Sequence, residues 1–221
     1  MAVVITRQGK ERLVRINFDQ PDVVKEEGAY DSISNIQIGQ DGKSVAYIAM
    51  KGNVHYQVLN NREEKLENTP LKPSVLNPAG SAVAVILASP EGMRVRTAFS
   101  SGGEKGKSYD DIEGTTFSKD GSQLAYVATK GKSCFVVSNG SEGPPFDKVV
   151  KPIFTPDGKR LVYRARKDGK RFVVVANTDG TTLRQHPAYE QVFQPVISPD
   201  GKSVAYGVQD GRKLVWVVEK L

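Results

Sequence analysis

The sequence predicts an all-β fold built from repeated antiparallel four-stranded units. Three observations predict it: two series of turn glycines recur about every 40 residues, alternating apolar segments run between them, and nothing reads as a long amphipathic helix.

The first series ends the turns GQDG, NPAG, SKDG, TPDG and SPDG at Gly42, Gly80, Gly121, Gly158 and Gly201, separated by 38, 41, 37 and 43 residues. A second series follows about ten residues on, at Gly52, Gly92, Gly131, Gly169 and Gly211, with an earlier member at Gly9. A period near 40 is the length of one β-propeller blade. Between the two turns, SVAYIA, AVAVIL, QLAYVA, RLVYRA and SVAYGV alternate with the period of a two-faced strand. Beyond the second turn come RLVRIN, VHYQVLN, RVRTAF, CFVVSN, RFVVVAN and LVWVVE, so glycine-turned hairpins build each unit.

With strands labelled a to d from the inside of a blade outward, the first turn joins a to b and the second joins b to c. A weaker strand d precedes the next a. The N-terminal piece supplies b, c and d, and the C-terminal piece supplies a, b and c. Six second-turn glycines favour a six-bladed propeller forming one domain over residues 1–221. Five blades with the N-terminal segment as a strap, or an arc of a larger ring, are the alternatives.

The unit SPDGKSVAY at Ser198–Tyr206, with variants at Thr155–Tyr163 and Ser118–Tyr126, resembles the TolB-type propeller repeat of bacterial proteins. The resemblance covers nearly the whole chain and implies the architecture. It implies a scaffold or gating role, because such repeats serve periplasmic scaffold proteins and the gates of some serine peptidases. The second copy, LNPAGSAVAVIL, lacks both the Asp and the Tyr, so its turn must form without the Asp cap.

With 221 residues, 38% hydrophobic and 8% aromatic, the chain is long enough for a substantial core. Its longest apolar runs, such as FVVVA at 172–176, fall far short of the roughly 20 residues that span a bilayer. The N-terminus has charge within its first seven residues and no secretory apolar core, so the expected location is cytoplasmic, or periplasmic if a signal was removed. Cys134 has no cysteine partner and reads as a small strand residue beside Phe135.

The net charge is +6, yet 31 basic residues are offset by 25 acidic ones along the whole length, which argues against a nucleic-acid partner. The b–c side of three consecutive blades carries Arg166, Lys167, Lys170 and Arg171, then Arg212 and Lys213, then Arg7, Lys10 and Arg12. If the ring closes, these form one basic sector. They either keep hairpin edges soluble or meet an anionic partner.

Counting 12 residues back from the first-series glycines finds Tyr30, Tyr109, Phe146 and Tyr189, each followed by an acid: Asp31, Asp110, Asp147 and Glu190. Only the second repeat departs, with Asn68 and Thr69. These pairs fall in the d-to-a crossing. Either the aromatic wedges between blades while the acid caps loop amides, or the carboxylates gather around the central mouth to grip a basic peptide or a cation. Calcium is disfavoured because YDDIEG at 109–114 lacks the spacing of a calcium loop.

No GxSxG elbow, HExxH, CxxC or phosphate-binding glycine signature occurs, so no catalytic residue, metal or cofactor is assigned. His55 in NVHYQV reads as a strand residue. His186 in RQHPAYEQ lies near Tyr189 and Glu190 and is the better site candidate. Trp216 alternates with its strand neighbours and reads as inter-blade core. The expected protein is a non-enzymatic scaffold that binds a protein or peptide through Tyr30, Asp31, Tyr109, Asp110, Phe146, Asp147, His186, Tyr189 and Glu190. The alternatives are a propeller module of a larger protein, such as a peptidase gate, and an enzyme using His186 and Glu190 as acid and base.

Overall fold

The computed structural model describes residues 1–17, 20–99 and 106–221, and no helix occurs among them. The chain divides into two compact units, Met1–Gly106 and Lys107–Leu221. The first holds sheet I, of β1 (Ala2–Arg7), β2 (Lys10–Asn17) and β3 (Gln20–Tyr30). Sheet II follows with β4 (Ser32–Ile38), β5 (Val45–Lys51), β6 (Val54–Leu59) and β7 (Arg62–Lys65), and sheet III with β8 (Val75–Leu76), β9 (Val83–Ser89) and β10 (Gly92–Ala98).

The second unit opens with sheet IV, of β11 (Asp111–Phe117), β12 (Leu124–Lys130), β13 (Ser133–Ser138) and β14 (Ser141–Glu142). Sheet V comprises β15 (Lys148–Val149), β16 (Ile153–Phe154), β17 (Arg160–Lys167), β18 (Lys170–Asn177) and β19 (Thr182–Gln185). Sheet VI comprises β20 (Gln191–Val192), β21 (Val196–Ile197), β22 (Ser203–Asp210) and β23 (Lys213–Lys220). All pairings within the sheets are antiparallel.

Both glycine series sit at the expected corners. Gly42, Gly80, Gly121, Gly158 and Gly201 all have φ between 65° and 75°, the left-handed region that favours glycine. Four of these turns are capped by the aspartate before the glycine. Asp41 Oδ1 accepts the Lys43 and Ser44 amides at 2.9 Å. Asp120, Asp157 and Asp200 each accept the amide two residues on at 3.1 Å and leave the following amide to the Ser118, Thr155 or Ser198 hydroxyl at 3.0 Å. Where the second copy lacks the aspartate, Asn77 Oδ1 accepts the Ser81 amide at 2.9 Å and the Ala82 amide at 3.1 Å. An asparagine carbonyl from a different turn position thus does the work of the carboxylate.

Strand a is irregular in every sheet that has one. In sheets II and IV it is bulged, with Asn35 at φ 52° and Gly114 at φ 62° inside the register shifts. In sheets V and VI it is split into two short segments, with Pro152 and Pro195 in the gaps, because proline has no amide to give the ladder. The N-terminal sheet is longer on its outer side than expected, since its strand d, β3, runs for 11 residues.

Alternation gives each middle sheet two buried faces. In the first unit, Leu13, Tyr30, Tyr47, Ala49 and Val58 pack sheet I on sheet II, while Ile48, Leu59, Val83, Val85 and Leu87 pack sheet II on sheet III. In the second, Val127, Val136, Leu161, Tyr163 and Val174 join sheets IV and V, and Val162, Val173, Val175, Val204, Tyr206 and Val208 join sheets V and VI. Fully burying one such aliphatic side chain contributes about 1.5–3 kcal/mol, so these seams hold each unit together.

Sheet VI corrects the expectation for Trp216. Register places it where Val173 stands in sheet V, but Val173 is 0% exposed and Trp216 is 74% exposed. Sheet VI is the last of its unit, and the face bearing Leu214, Trp216 and Val218 is exposed along with Phe193 and Val196.

Candidate functional site

Each aromatic–acid pair found in the sequence lies where the chain enters the innermost strand of its own sheet. Tyr30 is fully buried, edge-on to Tyr47 with ring centroids 5.9 Å apart, and its hydroxyl donates to Glu63 Oε1 at 2.7 Å. Tyr109 repeats this against Tyr126 at 6.3 Å and donates to Glu142 Oε1 at 2.7 Å. Phe146 packs edge-on to Tyr163 at 6.2 Å. Burial and the carboxylate neighbours push the Tyr30 and Tyr109 hydroxyls far above their ordinary range, so both stay protonated donors. Tyr30 lies in the core between sheets I and II and Phe146 in the core between sheets IV and V, and the burial of all three rings argues against the expectation that they touch a partner.

In the fourth crossing Tyr189 is only half-buried, and His186 takes the place of the wedge against Tyr206, with centroids 5.9 Å apart. His186 is 3% exposed, its Nδ1 pairs with Glu219, and the Tyr206 hydroxyl donates to the same carboxylate at 2.7 Å. Burial outweighs the attraction of Glu219 and lowers the imidazole pKa, while Nε2 is buried without a hydrogen-bond partner. His186 therefore faces Glu219, whereas Glu190 is exposed, and no acid–base pair forms between His186 and Glu190.

Three of the four crossing acids act as two-ended clips on the b–c hairpin of their own sheet. The Asp31 amide donates to Met50 O at 2.8 Å while its Oδ2 accepts the Gly52 amide at 2.6 Å. Asp110 does the same with Thr129 O and the Gly131 amide, and Asp147 with Arg166 O and the Asp168 amide. Asp31 also pairs with Lys10, and these contacts hold its pKa below the usual carboxylate range. All four acids remain exposed.

The basic residues differ between units. In the first, Arg7 pairs with Glu26 at 3.0 Å, Lys10 with Asp31, and Arg12 donates to Gly28 O at 3.1 Å. In the second, Arg171 donates to Glu190 O, but Arg166, Lys167, Lys170, Arg212 and Lys213 have no carboxylate partner among the described residues. One basic residue was missed in the sequence. Arg164, in RLVYRA, stands where the other four repeats carry Ile, Ile, Val and Gly, and that break in the pattern was the available signal.

Among the described residues no group of three or more His, Cys, Asp or Glu side chains is placed to hold a metal ion. Cys134 is a free thiol, half-buried. Among the described residues no helix is long and apolar enough to cross a membrane.

These sheets and their order define a β-propeller module. The propeller domain of the Trilobed protease from Pyrococcus furiosus is similar, with a TM-score of 0.54 at 16% identity over 86% of this chain and 70% of that one. A eukaryotic initiation factor structure matches 100% of this chain and 62% of its own, with a TM-score of 0.64 at 10% identity. TolB from Acinetobacter baumannii matches 99% of this chain at 16% identity with a TM-score of 0.46, and the chain spans 60% of its length. No protein-family model matches the sequence, and no curated protein does.

Proposed function

We propose that the chain is a TolB-like, six-bladed propeller module, one domain over residues 1–221, that binds a protein or peptide through its crossing face and performs no chemistry itself. One observation carries this reading. Around the b–c turns of the second unit, exposed cations without carboxylate partners stand beside carboxylates already fixed by backbone amides. Asp147 is fixed at the b–c turn of sheet V, where Lys167 and Lys170 offer charge, and Arg212 and Lys213 offer charge at the b–c turn of sheet VI. Rigid sheets with loop-borne charge are how scaffolds present a recognition surface.

The test is a peptide-library selection on wild type followed by affinity measurement on two variants. Lys167→Glu/Lys170→Glu/Lys213→Glu reverses the crossing face, and Lys43→Glu/Lys159→Glu/Lys202→Glu reverses exposed lysines beside the a–b turns. Selected peptides are expected to be acidic, and to lose about tenfold or more in affinity for the first variant only. Equal loss with both variants, or none with the first, would sink the proposal.

A second reading, that the chain is one module of a larger protein such as a gated peptidase, is favoured by its spanning only 62% of the initiation-factor structure and 70% of the Trilobed-protease propeller. An antibody against it would then detect a polypeptide well above 24.1 kDa in the native source. A band at 24.1 kDa alone removes that reading.

A further inference from the structure

We propose that the crossing side of the seam between sheets V and VI is an oxyanion pocket suited to a phosphate monoester. A cavity of about 230 Å³ lies there, lined by Lys148, Arg164, Arg166, Arg171, Gln191 and Val192 among others, with no carboxylate in its wall. At about 30 Å³ per water, it has room for roughly seven waters, enough for a phosphate and the start of its ester group.

The backbone register makes this arrangement costly without a counter-charge. Lys148 lies directly opposite Arg166, and Arg166 directly opposite Arg171, on adjacent antiparallel strands. Directly opposed residues share a face, and like charges so placed destabilise a sheet. Arg164 lies on the same face two residues along and reaches across the seam to donate to Val192 O at 2.8 Å. Its Nε is buried without a hydrogen-bond partner. Three cations in a row and a fourth desolvated beneath them are what a bound dianion would offset, and arginine's planar fork suits phosphate oxygens.

A second cleft makes the contrast. The space of about 490 Å³ at Arg15, Lys25, Glu26 and Glu27 balances two cations with two acids. The pocket shares the crossing face with the peptide site proposed above but does not depend on it, since a small anion would bind whether or not any peptide does.

The experiment is calorimetric titration of the whole chain with phenyl phosphate, inorganic phosphate and succinate, at ionic strength held constant with sodium chloride. Wild type should bind phenyl phosphate saturably, and Arg166→Gln/Arg171→Gln should bind it about tenfold or more weakly, since each lost charge-assisted hydrogen bond is substantial. Lys159→Gln/Lys202→Gln, exposed beside the a–b turns and outside the pocket lining, should match wild type. Stronger binding of phenyl phosphate than of inorganic phosphate supports an ester ligand, and equal binding supports the free ion. Succinate binding as tightly as phosphate overturns the assignment, as does equal binding by the pocket variant or no saturation by about 10 mM. Arg166→Gln alone supplies a second readout. Without added anion at low salt it should melt no lower than wild type, because it removes the central charge of the row. A clear loss of stability would show that no repulsion exists there to be relieved.

Discussion

Replacing Gly28 by alanine should damage the first unit out of proportion to the size of the change. Gly28 sits in the register shift of β3 at φ +70°, and a Cβ placed on it would lie 1.9 Å from Tyr30 Cε2. The Tyr30 ring has no room to retreat, being fully buried against Tyr47 and tied to Glu63. The left-handed backbone costs alanine about 1–2 kcal/mol, overpacking about 1–3 kcal/mol, and weakening the Tyr30–Glu63 bond about 1 kcal/mol. The expected total is about 3–6 kcal/mol. Gly52→Ala is the matched control, since its φ is +59° and a Cβ there meets nothing within 4 Å. It should lose only the backbone part, about 1–2 kcal/mol. Urea unfolding of both variants measures the difference directly. If the two lose the same stability, the aromatic wedge is not the tight seat described here, and the rigidity assigned to the crossing segment fails with it.

Three further outcomes are expected. Because burial lowers the His186 pKa despite Glu219, with Arg184 adding to the lowering, the folded state prefers the neutral ring. Stability should therefore be unaffected by this residue above about pH 7.5 and fall as pH drops below the unfolded value near 6.5. His186→Phe keeps a ring against Tyr206, and thermal melts should show a flatter slope between about pH 7 and 5; an unchanged slope would refute the linkage. Tyr109→Phe removes the hydrogen bond that chiefly holds the Glu142 carboxyl below its ordinary range, so NMR titration should find that pKa raised, and no movement would show the bond is not made in solution. Trp216, the only tryptophan, should emit at long wavelength and be quenched freely by iodide, and a blue-shifted, protected emission would mean that its face is covered.

The repeating frame was legible because glycine's left-handed φ is needed at each corner, so Gly42 through Gly201 mark the strands without any alignment. The aromatic–acid pairs were legible for the same reason, by distance from those corners. Their use was not, because sequence spacing does not tell a carboxylate aimed at solvent from one bonded to an amide 21 residues on, as Asp31, Asp110 and Asp147 are. His186 illustrates the limit further: its partner Glu219 is 33 positions away in another sheet, and proximity in sequence pointed to Glu190. Alternation puts Trp216 on the face that bears Val173 in sheet V, but it carries no information about whether a further sheet lies beyond it. Lys148, Arg166 and Arg171 form a row only once the register of three strands is known.

The outer edge of β23 has no strand paired to it among the described residues, and its sequence KLVWVVEK places five apolar residues between charged ends. Short apolar strands with a free edge invite other chains to add to them, and flanking lysines are a common deterrent. Lys213 and Lys220 thus act as gatekeepers of solubility, independently of any ligand. Neutralising them should promote self-association of the chain at high concentration, visible as growing light scattering. On the function proposed above, Lys213 would serve two ends at once, keeping copies of the protein apart and offering charge to a partner of the crossing face.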